Sequence, residues 1–147
     1  MAIAPRSEAA VDVVAEAAVL PVRPGEDPWT DGELAEVRQT LEAEASGLRA
    51  DIAKAESAVA DRLDNGLRDA GDDEADAGAK TYEREHEFIM TSNSRQLLEQ
   101  TEKALARIDA GSYGVCESCG EPIGKARLTA FPRAVLCVTC KQREERR

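Results

Sequence analysis

The sequence is poor in the residues that build a large globular core, because only 3% of it is aromatic and 33% is charged. It has no run of 18 apolar residues, which argues against a membrane span. Its start is interrupted by Glu8, Asp12 and Glu16, so no secretory signal is predicted either. A single histidine, His86, leaves no Ser/His/Asp or Cys/His constellation for nucleophilic catalysis. These absences predict a cytoplasmic protein that is not an enzyme.

Acidic residues outnumber basic ones, and the formal net charge is −10. Twelve Lys/Arg and twenty-five Asp/Glu precede Cys116, whereas seven Lys/Arg and four Asp/Glu lie from that residue onward. The front of the chain therefore carries −13 and the tail +3. Because a body this acidic repels phosphate backbones, the charge argues against direct DNA or RNA binding, sequence-specific DNA binding included, by everything except the short tail.

The four cysteines form two C-x2-C pairs, Cys116/Cys119 and Cys137/Cys140, with 17 residues between the pairs. Four thiolates in a tetrahedron suit Zn²⁺, and the two-residue spacer lets both sulfurs of a pair reach one ion at about 2.3 Å. The alternatives are two disulfides, a thioredoxin-like redox pair and chance spacing, of which a reducing compartment disfavours the disulfides. The pattern predicts one structural zinc site, in which protein ligands fill all four positions.

Two long helices are predicted before the cysteines. Thr30-Asp31-Gly32-Glu33 has the form of a capping box, and apolar residues then recur at steps of three and four from Leu34 to Leu63. A second helix is predicted from about Asp73 to Asp109, with Gly111 as its C-cap. Its predicted apolar positions are Phe88, Ile89, Leu97, Leu98, Leu105 and Ile108. Helices of roughly 50 to 55 Å with such narrow apolar stripes are expected to pack together as an antiparallel hairpin.

The segment before the first helix begins Ala/Val-rich and ends with Pro21, Pro24, Gly25 and Pro28. This composition predicts a flexible arm, with a helix formed on a partner as the alternative for its apolar stretch. The predicted protein is mainly α. It has an arm at 1–28, a coiled-coil hairpin at 29–110 with its tip near 65–78, and a small C4 zinc finger with a short basic C-terminal helix at 111–147.

The predicted tip of the hairpin is densely acidic. Five carboxylates lie within eight positions: Asp69, Asp72, Asp73, Glu74 and Asp76. Turn formation and interaction with the helix dipole are one explanation for acidic residues at such a place. Capping needs fewer carboxylates, however, and a cluster at the end of a projection also suits a hard cation such as Mg²⁺, or basic residues, in the cleft of a partner.

Residues 111–124, GSYGVCESCGEPIG, together with Arg127-Leu128, Pro132, Leu136-Cys137 and Cys140-Lys141, resemble the zinc finger of the DksA/TraR family. The resemblance extends over residues 30–147, because Asp73-x-x-Asp76 ends 40 residues before Cys116, where the family has two acidic tip positions. The family's tip pattern is D-x-x-D-x-A. The sequence departs from it at Gly78, which occupies the position of the final alanine.

The resemblance implies a monomeric transcription factor that binds RNA polymerase without specific DNA contacts. Family members insert the coiled coil through the secondary channel, so Asp73 and Asp76, with Asp72 and Glu74 beside them, would act near the active-site Mg²⁺. They would alter open-complex lifetime, as in a stress or stringent response.

Lys141 matches a basic position at which some family members contact the alarmone ppGpp or the polymerase. Gln100 and Phe131 stand where other basic side chains of that set are expected, so the resemblance leaves ppGpp dependence open. The alternative function is a zinc-ribbon nucleic-acid binder, or a protein-interaction adaptor without activity in the polymerase channel.

Overall fold

The computed structural model describes residues 19–66 and 74–147, and their regular elements are four helices. The long helices are α1 at Asp31–Gly66 and α2 at Glu74–Ala110, and the short helices are α3 at Lys125–Ala130 and α4 at Val138–Glu145. Within the described ranges the β-structure is one antiparallel bridge between Val115 and Pro122. The predicted mainly α fold with a small finger and a short C-terminal helix is confirmed.

The described residues group into two units. The first unit contains the described residues up to Glu42 together with Thr101–Arg147, and the second unit is drawn from Ala43–Gln100. Among the helices that the structure describes, none combines the length and the apolarity that a membrane crossing requires.

Helix α1 begins at the predicted capping box. The backbone N–H of Glu33 donates to Thr30 Oγ1 at 3.2 Å, and the backbone N–H of Thr30 donates to Glu33 Oε1 at 3.1 Å. Each side chain thus satisfies a backbone donor that the first turn of a helix leaves unpaired.

Helix α2 ends at the predicted glycine. The N–H of Ser112 donates to Arg107 O at 3.0 Å, the N–H of Gly111 donates to Ile108 O at 3.2 Å, and Gly111 has φ 74°. This pair of bonds is a Schellman motif, which requires a left-handed backbone that glycine adopts without steric cost.

Ion pairs join α1 to α2 in both units, and in the second unit they give the relative direction of the two helices. In the first unit Arg38 contacts Asp109 at 2.7 Å. In the second unit Glu56 contacts Arg95 at 2.9 Å, and Arg62 contacts Glu87. Between the two pairs of the second unit, the position on α1 advances from Glu56 to Arg62 while the partner on α2 moves back from Arg95 to Glu87. The two helices are therefore antiparallel there, in agreement with the predicted hairpin. These pairs are largely solvent-exposed, so each is expected to contribute at most about 1 kcal/mol.

The main buried cluster lies in the first unit. Its apolar members from α1, α2 and the finger are Leu34, Val37, Leu41, Ala104, Ile108, Tyr113, Ile123 and Leu128. The first part of the predicted apolar stripe on α1 therefore packs as expected. The end of α2 packs in the same cluster as residues of the finger.

The apolar pattern overestimates packing in the second unit. Leu63 and Phe88 have 69% and 68% of their surfaces exposed, and Val59 and Ile89 are also exposed. A three-and-four repeat defines one face of a helix, but it does not establish that the partner helix offers an apolar face opposite. Here Arg62, which precedes Leu63, and Glu87, which precedes Phe88, form an ion pair instead.

Of the predicted flexible arm at 1–28, residues 1–18 lie outside the described residues, and part of the remainder packs on the first unit. Leu20 is only 3% exposed, and Val22 packs against the core of the first unit. Apolar side chains beside Pro21 account for this packing, because burying them offsets the entropy lost in ordering the segment.

Candidate metal centre

The four predicted zinc ligands meet in the finger of the first unit. The sulfur atoms of Cys116, Cys119, Cys137 and Cys140 all lie within 4.8 Å of one another, and Cys119 Sγ is 3.8 Å from Cys137 Sγ. Four sulfurs placed about 2.3 Å from one Zn²⁺ in a tetrahedron are about 3.8 Å apart. The donor set and its spacing therefore fit one zinc ion with four thiolate ligands.

A tight turn of backbone shapes the first cysteine pair. The N–H of Cys116 donates to Glu121 O at 2.9 Å, and the N–H of Gly120 donates to Cys116 O at 3.0 Å. Gly120 has φ 76°, a conformation that glycine permits and that side chains disfavour. The neighbouring bridge from Val115 to Pro122 closes this turn, so both sulfurs of the pair face the same point.

The second cysteine pair lies at the start of α4. Cys137 is the N-cap residue of this helix, and its sulfur accepts the N–H of Cys140 at 3.4 Å. The N–H of Cys137 in turn donates to Cys116 Sγ at 3.4 Å, which links the two pairs. These two N–H···S bonds fix the positions of the Cys137 and Cys116 sulfurs relative to each other.

The thiols have different affinities for protons. Burial opposes ionisation of Cys116, but N–H donors from Cys119, Cys137 and Ser118 outweigh it and lower its pKa to about 6. Hydrogen bonding to the Cys137 side chain raises the pKa of Cys140 to about 12. Zinc ligation requires all four groups as thiolates, so binding of the ion must displace the protons that these close sulfurs retain.

Contacts around the ligands tie the finger together and to the end of α2. The N–H of Glu117 donates to Val135 O at 2.9 Å, and its carboxylate pairs with Arg107 of α2. The buried Tyr113 hydroxyl donates to Pro132 O at 2.8 Å, and burial raises the pKa of this phenol. These bonds bring together segments up to 19 residues apart, which no local motif in the sequence indicates.

Two supporting residues were absent from the sequence predictions. Glu26 accepts the N–H of Lys125 at 2.8 Å across 99 positions, and Lys125 Nζ contacts Glu33 at 2.7 Å. Glu26 follows the Pro24-Gly25 turn, and Lys125 opens α3 after Gly124. Neither position carries a sequence signal that identifies its partner.

The other predicted site residues are Lys141 and the acidic residues of the tip. Lys141 lies on α4 directly after Cys140, and its ammonium group is 3.3 Å from Glu144. Asp72 and Asp73 lie outside the described residues, and of Glu74 and Asp76 only the backbone, which belongs to α2, is described. The acidic tip therefore remains a sequence prediction.

A site with four protein ligands leaves no open position for water or substrate. Zinc would be held by Cys116, Cys119, Cys137 and Cys140, and when bound it supplies a cross-link between the two halves of the finger. The chain's own contribution is to hold the four sulfurs together through the N–H···S bonds and turns.

Comparison with known proteins identifies the finger and the chain around it. The family model of the prokaryotic dksA/traR C4-type zinc finger matches residues 111–146. The RNA polymerase-binding transcription factor DksA of Escherichia coli strain K12 is 33% identical over 138 residues, covering 92% of this chain and 88% of that protein. The protein of the same name from Caulobacter vibrioides is 43% identical over 75 residues, covering 51% of this chain and 53% of that one.

A solved structure agrees with the sequence relatives. The transcription factor DksA2 from Pseudomonas aeruginosa has a TM-score of 0.64 and 30% sequence identity to this chain, covering 78% of this chain and 84% of that one. The matches span the helices as well as the four-cysteine finger. The chain therefore belongs to the DksA/TraR family, and its finger is the C4-type zinc finger of that family.

Proposed function

We propose that this protein is a transcription regulator that binds RNA polymerase directly. The observation that carries the proposal is its 33% identity, over 92% of the chain, to a protein named as an RNA polymerase-binding transcription factor. The closed four-cysteine site supports a binding protein and not an enzyme, because the zinc it suits has a structural role. Action on polymerase would place the protein in the cytoplasm.

The proposed mode of binding is insertion of the hairpin through the secondary channel of the polymerase. The helix lengths of 36 and 37 residues support this mode, because a pair of helices is thinner than a globular domain and can enter a narrower channel. Large apolar side chains on α2 also remain exposed in the second unit, among them Tyr82, Phe88 and Met90. Such exposed apolar surface commonly marks a site of contact with another protein.

The proposed working residues are Asp73 and Asp76, assisted by Asp72 and Glu74. Carboxylates brought near the catalytic Mg²⁺ or near basic groups of the polymerase would alter the local electrostatic field without reading DNA sequence. The predicted effect is a change in the lifetime of the open promoter complex. Selectivity among promoters would then follow from how long each open complex already lives.

Binding measurements distinguish this function from the zinc-ribbon nucleic-acid alternative. Fluorescence anisotropy of the labelled, zinc-loaded chain should show saturable binding to purified RNA polymerase and negligible binding to duplex DNA at physiological salt. The acidic front of the chain accounts for the second expectation. Tight DNA binding with a steep dependence on salt, which indicates release of counterions from phosphates, would contradict the proposal.

Lys141 is proposed to contact the polymerase or ppGpp from its position on α4. Its side chain is about half exposed, and its ion pair with Glu144 is a surface contact of 3.3 Å. Such pairs contribute little, so the ammonium group can exchange partners at small cost. Lys141→Ala is therefore expected to reduce any stimulation of the regulator by ppGpp in transcription assays, whereas Arg146→Ala serves as a charge-matched control. An unchanged response in Lys141→Ala would remove this residue from the proposal.

A further inference from the structure

Residues 20–30 form a segment that we call the N-terminal strap, and it packs directly on the zinc finger. Leu20 and Trp29, each only 3% exposed, lie in the same buried cluster as the zinc ligands Cys116 and Cys140. The Trp29 ring also lies 6.1 Å from the ring of Tyr113, between centroids. The strap is therefore part of the packing around the metal centre.

Glu26 of the strap caps a helix of the finger. Its Oε2 accepts the N–H groups of Lys125 at 2.8 Å and Ala126 at 3.3 Å, while its Oε1 accepts the N–H of Arg23 at 2.9 Å. The residue at the N-cap position of α3 is Gly124, which has no side chain to satisfy these donors. The strap passes so close that a Cβ at Gly124 would lie 2.9 Å from Arg23 Cδ.

Lys125 contacts the other end of the strap together with the first turn of α1. Its ammonium group donates to Glu33 Oε1 at 2.7 Å and to the carbonyl oxygen of Asp27 at 3.3 Å, and it lies 5.7 Å from the centroid of the Trp29 ring. The side chain is only 16% exposed. The hydrogen bond from Lys125 lowers the pKa of Glu33, so this carboxylate remains charged at neutral pH. Charged hydrogen bonds in such a partly buried place are stronger than neutral ones.

A short chain of contacts links the strap to the second cysteine pair. Helix α3, which Glu26 caps, carries Arg127, and Arg127 Nε donates to Leu136 O at 3.1 Å. Leu136 directly precedes the zinc ligand Cys137. Movement of the strap away from α3 would therefore loosen the backbone that sets the position of this sulfur.

The closed strap also contains an unsatisfied group. The indole N–H of Trp29 is buried and has no hydrogen-bond partner among the described residues. A buried donor without an acceptor opposes the packed state, because it loses its bond to water without replacement. This feature favours opening of the strap, against the bonds that Glu26 and Lys125 make.

We infer that Glu26 and Lys125 are positioning residues for the zinc site, and that the closed strap limits the rate at which zinc leaves the finger. In the closed state the strap buries the cluster that contains Cys116 and Cys140. Opening removes the cap from α3 and the cover from the ligands. This role concerns retention of the metal and does not depend on the proposed binding to polymerase.

Zinc transfer from the full-length, zinc-loaded chain to the dye 4-(2-pyridylazo)resorcinol tests the inference. Lys125→Met and Glu26→Ala are each expected to bind one zinc but to release it about tenfold faster, the factor that loss of charge-assisted hydrogen bonds predicts. Lys125→Arg keeps the charge and should release zinc within about twofold of the wild-type rate. Arg38→Met is the matched control, because it removes another ion pair of the first unit, that with Asp109.

Two results would overturn the inference. One is a wild-type release rate in both Lys125→Met and Glu26→Ala, and the other is an equal acceleration in Arg38→Met, which would show a general effect of stability. Hydrogen exchange of the zinc-loaded wild type gives a test without any substitution. The N–H groups of Lys125 and Ala126 should exchange as slowly as that of Ile123, which donates to Gly114 O at 2.8 Å. Unprotected exchange at both positions would show that the strap is not closed in solution.

Discussion

Replacing Cys116 with serine is expected to remove zinc from the chain and unfold the finger. Zinc binding contributes about 10–16 kcal/mol to small zinc modules, so loss of one thiolate in four should cost roughly 3 kcal/mol and weaken binding more than about 100-fold. The Cys116 sulfur also accepts the N–H of Cys137 and lies in the buried cluster. Both the metal and the packing therefore depend on this residue.

The measurement is the zinc content after dialysis against a chelator, together with hydrogen exchange in the finger. The wild type should retain one zinc per chain and protect the N–H groups of Ile123 and Leu128, and Cys116→Ser should show neither. Thr139→Ala is a suitable control, because Thr139 is an exposed spacer residue of the second cysteine pair. A Cys116→Ser protein that keeps its zinc and its protected amides would contradict the four-ligand site.

The features that the sequence predicts well are those whose determinants are close together in the chain. Thr30 and Glu33 lie three positions apart, so the capping box can be recognised from the order of residues alone. The spacing of the four cysteines can be recognised in the sequence itself, so the metal centre could be predicted with all its ligands. Gly111 likewise marks the end of α2 through a local backbone requirement.

The features that the sequence could not predict depend on distant partners. The contact from Glu26 to Lys125 joins positions 99 apart, and neither residue differs in pattern from many charged neighbours. Phe88 shows the opposite failure, because it fits an apolar stripe but is exposed in the structure. Whether a residue is covered depends on the face that another element presents, and a pattern on one helix does not contain that information.

A second large effect is expected at the acidic tip. Asp73→Asn/Asp76→Asn removes two negative charges while preserving the size of both side chains. The variant should still bind polymerase, because the paired helices and the zinc finger are unchanged. Its effect on open-complex lifetime should fall at least about tenfold, which corresponds to about 1.4 kcal/mol. The measurement is the decay of promoter complexes after addition of a competitor, at saturating regulator.

A control with the same charge change separates the tip from the general acidity of the chain. Asp61 and Asp64 have the same D-x-x-D spacing and are exposed on α1. Asp61→Asn/Asp64→Asn should therefore retain most of the effect on open complexes. Wild-type activity in the Asp73/Asp76 variant would show that the tip is only a turn, and equal losses in both variants would assign the effect to overall charge.

The most direct measurement for the central proposal uses the polymerase's own metal site. Fe²⁺ substituted for the active-site Mg²⁺ generates hydroxyl radicals with ascorbate and peroxide, and these cut polypeptide close to the ion. In a complex with this protein labelled at one end, cleavage is expected near the predicted tip, at residues 65–78, and not in the finger at 111–147. A polymerase-bound chain that remains uncut, or that is cut only in the finger, would contradict insertion of the hairpin toward the catalytic centre.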